Sequence, residues 1–178
     1  MPTRRIHIMG ASGAGVTTLG RALADALGLP HHDTDDYYWQ PTDPPYRDMR
    51  AIPDRLRLMH ELFLPRPSWV LSGSLDSWGD PILGLLDLAV FLLTPTEIRL
   101  ARLRDREQRR GWDDETNDFL EWASHYDDGT REGRSLPRHE AWLKTLRCPV
   151  LRLDGTHPVA VLVDQIVAAT TRQDRAIN

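Results

Sequence analysis

The stretch that most constrains this chain is GASGAGVTT, residues 10–18. Gly10, Gly13 and Gly15 follow the short apolar run Ile6–Met9. They precede a segment with apolar residues at Leu19, Leu23, Ala26 and Leu27. This pattern predicts a strand, a tight loop and a helix that stops at Gly28. A loop so placed offers backbone N–H groups at the positive end of a helix dipole, and its glycines let several of them turn inward. The glycine spacing is that of a phosphate-binding loop, GxxxxGK[ST]. Ser12 and Ala14 fill the variable places, Thr17 holds the hydroxyl position that ligates Mg2+, and Thr18 stands beside it. Val16 occupies the lysine position, so the side chain that normally reaches the outer phosphates is missing. Several readings stay open. An arginine from elsewhere replaces the lysine, the backbone and Mg2+ suffice, or the loop has lost nucleotide chemistry. The bland reading is a tight turn in a doubly wound sheet.

The rest of the chain alternates apolar runs with helical periodicity. A second short strand is expected over Pro30–Asp33, and a loop rich in aromatics, Pro and Asp over Tyr37–Pro53. Pro53 opens a helix reaching about Leu64. Trp69–Ser72 and Leu88–Leu93 read as the third and fourth strands, the latter an uninterrupted apolar run suited to burial on both faces. Thr94 to Glu97 has the form of a capping box opening an arginine-rich helix. Residues 110–138 are polar, aromatic and glycine-containing. A helix near His139–Leu146, a strand at Val150–Leu153 and a final helix over about Pro158–Thr171 complete the chain. Strands alternating with helices predict a parallel sheet covered on both faces.

Charge and cysteine content narrow the function classes. The 178 residues carry a net charge of −4, so no basic field points to nucleic acid. Cys148 is the single cysteine, which leaves no internal disulfide. The most apolar run, Leu85–Leu93, is interrupted by Asp87 and is too short to span a bilayer. With no signal peptide legible, a cytoplasmic protein is expected, monomeric or homodimeric. Lys144 is the only lysine, so any other site cation must be arginine or metal.

Two clusters carry potential chemistry besides the loop. His31-His32-Asp33-Thr34-Asp35-Asp36 ends the second strand, and ligands of open parallel sheets gather at strand C-termini. One carboxylate there can hold Mg2+, and another can orient a hydroxyl and take its proton. The plain alternative is a solvated acidic turn, with His31 and His32 as packed strand residues. Arg99, Arg102 and Arg106 lie on adjoining helical turns, as do Arg106, Arg109 and Arg110. Arg131, Arg134 and Arg138 flank Gly133. Guanidinium groups suit phosphate, although the same residues also make a solvated charged helix balanced by Glu97, Asp105 and Glu107. Trp39 and Trp78, with Trp122 and Tyr126, are candidates to line an acceptor pocket.

In this order GASGAGVTT, DTDD, WVLSGS, LAVFLLTPTEIRLARLRDRE and PVLRLDGT resemble the small P-loop kinases of the adenylate, shikimate and gluconate kinase group. More narrowly, the chain resembles bacterial proteins described as AAA-family ATPases or adenylate kinase-like. The resemblance implies one three-layer α/β P-loop domain over 1–178, its five-stranded parallel sheet in the order 2-3-1-4-5. An acceptor-side insertion falls over about 37–65 and a lid over about 107–138. It implies ATP at the loop and Mg2+ held by Thr17 and Asp33, with Asp35 facing the acceptor. Gly73, Ser74, Trp78, Trp39 and Arg55 fall on the acceptor side. Arg102 and Arg106 match paired lid arginines that touch nucleotide, with Arg134 across the lid. Asp154-Gly155-Thr156 matches the turn beside adenine.

The function expected is an ATP-dependent phosphotransferase moving the γ-phosphoryl group to a small-molecule hydroxyl or to a nucleoside monophosphate. A monophosphate acceptor needs a phosphate clamp rather than a base, and Arg47, Arg50, Arg55 and Arg57 are available for one. The alternative is a non-catalytic or weakly hydrolytic nucleotide sensor, which Val16 favours.

Overall fold

The computed structural model describes residues 4–111 and 118–177. Strands β1 (Arg4–Gly10), β2 (His31–Asp33), β3 (Ser68–Ser72), β4 (Leu88–Leu93) and β5 (Val150–Asp154) form one sheet in the order β2-β3-β1-β4-β5. Every neighbouring pair is parallel. The helices are α1 (Val16–Leu27), α2 (Thr34–Tyr38), α3 (Ile52–Leu62), α4 (Thr96–Arg109), α5 (Asp118–Ser124), α6 (Leu136–Leu143) and α7 (Val159–Ile177). A 3-10 turn spans Asp80–Leu85. Among the described residues no helix is long and apolar enough to cross a membrane.

Alternation along the buried strands sorts side chains into two cores. Ile6, Ile8, Val70 and Val90 face one side, where Leu19 and Leu23 of α1 and Leu162 and Ile166 of α7 cover them. Met9, Trp69, Leu71 and Phe91 face the other, against Met59 of α3, Phe63, and Trp142 and Leu143 of α6. Each such large apolar side chain contributes roughly 1.5–3 kcal/mol by leaving water. Both faces of the sheet are thus sealed, and its C-terminal edge is left for the loops.

Four local expectations need correction. Thr94 does not cap α4; Pro95 holds the N-cap position without a side-chain bond. The Thr94 hydroxyl turns inward at the end of β4 and donates to Ala14 O at 3.3 Å. The acidic run opens a helix that continues into the loop expected from Tyr37, as far as Tyr38, because the Asp33 carboxylate accepts the Asp35 N–H and caps α2. In the polar stretch after residue 110, α5 forms, and its Leu120 and Ala123 pack on Leu103 of α4. The helix expected near His139–Leu146 starts earlier, at Leu136, where the Ser135 hydroxyl accepts the Arg138 N–H. Residues 112–117 of the expected lid lie outside the described residues.

Gly73 shows how tightly the sheet edge is built. Its φ of +112° lies in the region that favours glycine, and a Cβ there would stand 1.8 Å from Thr34 Oγ1. Gly73→Ala is expected to destabilise the fold by about 1–3 kcal/mol through this overlap. A shift of the urea midpoint checks it, and an unshifted midpoint would mean that the Thr34 side chain yields freely.

Candidate active site

The loop from β1 to α1 is shaped by its glycines. Gly13 and Gly15 have φ of +79° and +99°. A Cβ on Gly13 would stand 2.6 Å from Arg99 O, and one on Gly10 would stand 2.6 Å from Leu92 O. Gly15 is the N-cap of α1, and no side chain caps the first turn. The first-turn N–H groups of Val16, Thr17 and Thr18 therefore carry the positive helix end toward whatever sits in the loop. Val16 does not substitute for a lysine. Its side chain packs on the first core, with Cγ1 3.2 Å from where a Gly10 Cβ would lie.

A different cation stands at the loop. Arg102 Nη1 donates to Ala14 O at 3.2 Å and Gly13 O at 3.4 Å, and Nη2 donates to Gly155 O at 3.3 Å. One guanidinium thus ties α4 to both the glycine loop and the turn after β5. That turn is well braced. The Gly155 N–H donates to Leu93 O, the Thr156 N–H donates to Asp154 Oδ1 at 2.9 Å, and a Gly155 Cβ would overlap Thr94 Oγ1. Between loop and turn lies a cavity of about 240 Å³, lined by Ala14, Gly15, Thr18, Arg102, Gly155 and His157 among others. A larger hollow of about 550 Å³ opens between α3 and the 3-10 turn, against Leu56, Ile82 and Leu85. It shares no lining residue with the glycine loop.

The other arginines separate by their partners. Arg99 is fully buried, donating to Thr94 O at 3.0 Å and Thr96 Oγ1 at 2.6 Å, and pairing with Asp127 at 3.0 Å. It locks α4 to the chain after α5. Arg106 pairs with the buried Glu107 at 3.0 Å rather than with the glycine loop. Arg109 pairs with Asp105, Arg131 with Glu121, and Arg138 with Asp76. Arg134 stacks on Trp122, 5.4 Å from the ring.

The acids meet the loop directly. Thr17 Oγ1 donates to Asp33 Oδ2 at 2.7 Å, and Ser72 Oγ donates to the same oxygen at 3.2 Å. Asp33 Oδ1 accepts the Asp35 N–H at 3.1 Å. Asp35 is exposed by area at the mouth of the cleft. Protein atoms nonetheless crowd it, and this desolvation, with Asp33 beside it, raises its carboxyl above the usual carboxylate range. Arg134 and Arg106 pull the other way. His31 Nε2 meets Ser72 Oγ at 2.9 Å, and burial lowers the tendency of this ring to charge. His32 stacks on Phe63 at 4.0 Å and meets the Tyr37 hydroxyl at 2.9 Å. Among the described residues no three His, Cys, Asp or Glu side chains form a metal cluster. Magnesium needs no such cage. One or two carboxylates, a hydroxyl, water and phosphate oxygens satisfy it, so the hard-oxygen pair Thr17 and Asp33 fits this ion.

On the acceptor side the expected residues divide. Trp78 is buried in the second core, its indole N–H donating to Ser74 O at 3.2 Å, so it supports the cleft from behind. Tyr126 and Trp122 likewise bond to protein groups. The Tyr126 hydroxyl bonds His139 Nδ1 at 2.7 Å, and Trp122 Nε1 donates to Glu132 O. Ser74 Oγ meets the other nitrogen of His139 at 3.3 Å. Burial pushes the His139 ring down to about 3, which keeps it neutral. Trp39 is half-buried, paired with Met49 in an isolated bridge and edge-on to Tyr46. Arg55 is almost fully buried, its guanidinium 3.7 Å over the Tyr38 ring and its Nε donating to Arg50 O. Two members of the expected phosphate clamp are otherwise engaged. Arg50 Nη1 donates to Tyr37 O and Trp39 O, and Arg57 pairs with Asp54 and Glu61. The sequence did not mark His31 and His139, because no local pattern reveals a histidine whose partner is far along the chain: Ser72 for His31 and Ser74 for His139.

A central strand entering a glycine loop, with strand order β2-β3-β1-β4-β5, defines the P-loop kinase fold seen in shikimate and gluconate kinases. Shikimate kinase from Acinetobacter baumannii, in complex with shikimate, matches over 96% of this chain and 94% of its own. Its TM-score is 0.60 at 20% identity. A gluconokinase from Sinorhizobium meliloti 1021 matches over 98% and 95%, with a TM-score of 0.57 at 21% identity. At these identities the likeness is one of fold. No protein-family model matches the sequence. The chain belongs to the family of the Bacillus subtilis protein YqaC, described as uncharacterized. The two are 42% identical over 173 residues, or 92% of this chain and 96% of that protein. Shikimate kinase 2 of Sodalis glossinidius is 48% identical over 40 residues, 22% of this chain and 23% of that one.

Proposed function

We propose that this protein is a magnesium- and ATP-dependent phosphotransferase acting on the hydroxyl of a small molecule. One observation carries the reading: Thr17 of the glycine loop and Asp33 of β2 meet at 2.7 Å, with Asp35 beside them on the capped start of α2. The loop backbone and the first turn of α1 bind the nucleotide phosphates. Thr17 and Asp33 hold the metal. Bound magnesium and ATP supply the transferable phosphoryl group and neutralise its charge. Asp35 orients the acceptor hydroxyl and takes its proton as the acceptor oxygen bonds to phosphorus and ADP leaves. Arg102 supplies the cation that Val16 does not, and Arg106 and Arg134 close from the lid side. Gly73, Ser74, Trp39 and Arg55 shape the acceptor side, with Trp78 behind them. The buried Arg55, stacked on Tyr38 and without a carboxylate partner in hydrogen-bond range among the described residues, suits an acceptor that carries an anionic group. The engagement of Arg50 and Arg57 elsewhere weighs against a nucleoside monophosphate acceptor. A nucleotide sensor is the second reading, favoured by the inward packing of Val16.

Calorimetric titration with a non-hydrolysable ATP analogue tests the first step. Magnesium is expected to tighten binding at least about tenfold, or about 1.4 kcal/mol. A folded sample that binds nothing at millimolar analogue would overturn the kinase reading. Magnesium-dependent binding, followed by no turnover across sugars, sugar acids and nucleoside monophosphates, would favour the sensor.

A further inference from the structure

We infer that His31 is a positioning residue, acting through Ser72 to hold the Asp33 carboxylate in its metal-binding orientation; this rests on Asp33 serving as proposed above. His31 and Asp33 lie on one face of β2, and Ser72 is the direct cross-strand partner of Asp33. The three side chains make a chain of contacts: His31 Nε2 to Ser72 Oγ at 2.9 Å, and Ser72 Oγ to Asp33 Oδ2 at 3.2 Å.

Proton counting sets its direction. An ionised carboxylate only accepts, so the single Ser72 proton goes to Asp33. The Ser72 oxygen then faces His31 with a lone pair, and His31 Nε2 must carry a hydrogen. The opposite arrangement would set the Ser72 lone pairs against Asp33 Oδ2 in a buried place. Ser72 is fully buried, which shuts its hydroxyl off from bulk solvent.

The arrangement matters because Thr17 donates to the same carboxylate oxygen. When the Thr17 hydroxyl turns its oxygen to a cation, it no longer orients Asp33. The Asp35 N–H on Oδ1 and Ser72 on Oδ2 remain, and they hold the carboxylate plane from both sides. Hydrogen bonds behind a metal ligand commonly set its orientation in this way.

Helix α1 is built to admit the pair. Gly20 sits in its interior, where glycine costs roughly 1 kcal/mol relative to alanine. A Cβ at Gly20 would stand 2.8 Å from His31 Nε2 and 3.1 Å from Ser72 Cβ. The glycine keeps open the space in which this contact forms.

Two measurements test the inference. The first is the 15N spectrum of the imidazoles in metal-free protein above neutral pH, with His31 assigned by its absence in His31→Gln. The neutral Nε2–H tautomer is expected, and the Nδ1–H tautomer would overturn the inference whatever the protein catalyses. The second is the magnesium concentration that half-saturates the gain in ATP-analogue binding. His31→Leu and Ser72→Ala should each raise it by about 10- to 100-fold, the usual range for losses behind a metal ligand. The double variant should be no worse than Ser72→Ala alone, and His31→Gln, which restores an N–H, should lie near wild type. Analogue binding without magnesium should be unchanged. Independent, additive losses, failure of the Gln variant to rescue, or an equal loss without magnesium would show a packing role only and sink the inference. Wild-type binding that ignores magnesium, together with an Nε2–H ring, would also overturn the metal role. That outcome would locate the fault in the reading of Asp33, with the hydrogen-bond chain intact.

Discussion

Asp35→Asn is expected to lower phosphoryl transfer by about 10²–10⁴-fold, the range for loss of a positioned general base. Binding of the magnesium–nucleotide analogue should not change. The substitution keeps the backbone N–H that caps α2 through Asp33 Oδ1, so the metal-side carboxylate stays where it is. It keeps side-chain volume at an exposed position, so stability should hold as well. Only the ability to take a proton disappears. Asp35 stands beside Asp33, facing the charges of Arg134 and Arg106, where an acceptor hydroxyl and the phosphoryl group would meet. The measurement is ADP release under single-turnover conditions, with an acceptor found by the screen described above. Undiminished turnover would remove Asp35 as base and revive the nucleoside monophosphate acceptor, which needs none.

Arg102→Ala is expected to weaken ATP-analogue binding and to lower transfer by about 10²–10³-fold, the usual loss for one group that stabilises transition-state charge. The expectation follows from Val16. With that side chain packed on the core, the loop has no cation of its own. Arg102 bonds to the loop, through Gly13 O and Ala14 O, and it reaches Gly155 as well. The guanidinium is exposed enough to exchange those carbonyls for phosphate oxygens when a nucleotide enters. Arg102→Lys should recover part of the loss, since it restores charge but not the planar fork. Arg106→Ala is the control. Its present partner is Glu107, so its effect on analogue binding should be smaller. A larger loss in Arg106→Ala than in Arg102→Ala would move the surrogate role to Arg106. No loss in either would mean that the loop backbone and magnesium suffice.

The arginine helix also shows where local pattern stops being informative. Helical spacing places Arg99, Arg102 and Arg106 on adjoining turns, and in the chain they look alike. In the fold they meet three different environments. Arg99 is buried under the segment after α5, Arg102 is on the loop, and Arg106 is held by Glu107. Spacing along a helix decides which side chains neighbour each other, but not which residues of another element lie opposite. Likewise, α5 was hidden in a polar stretch because its buried residues against α4 are few, Leu120 and Ala123. The capping box at Thr94 failed because its hydroxyl found Ala14 O on the loop instead of the helix ahead.

From the sequence alone came the alternation of strands and helices, the glycine loop and the acidic run at a strand end. These rest on near neighbours: apolar period, glycine's freedom at positive φ, and the inability of a continuous apolar strand to stay in water. With the family resemblance they carried the sheet order and the residues to watch. The tertiary structure decided what depends on chain-distant approach. It brought Thr17 to Asp33, packed Val16 against the core, sent Arg102 to the loop and buried Trp78. It also set His31 behind Ser72 across a strand pair, in the space left by Gly20 on α1. A hydrogen bond between residues tens of positions apart has no local signature, because the energy that selects it is spread over the packing that brings them together.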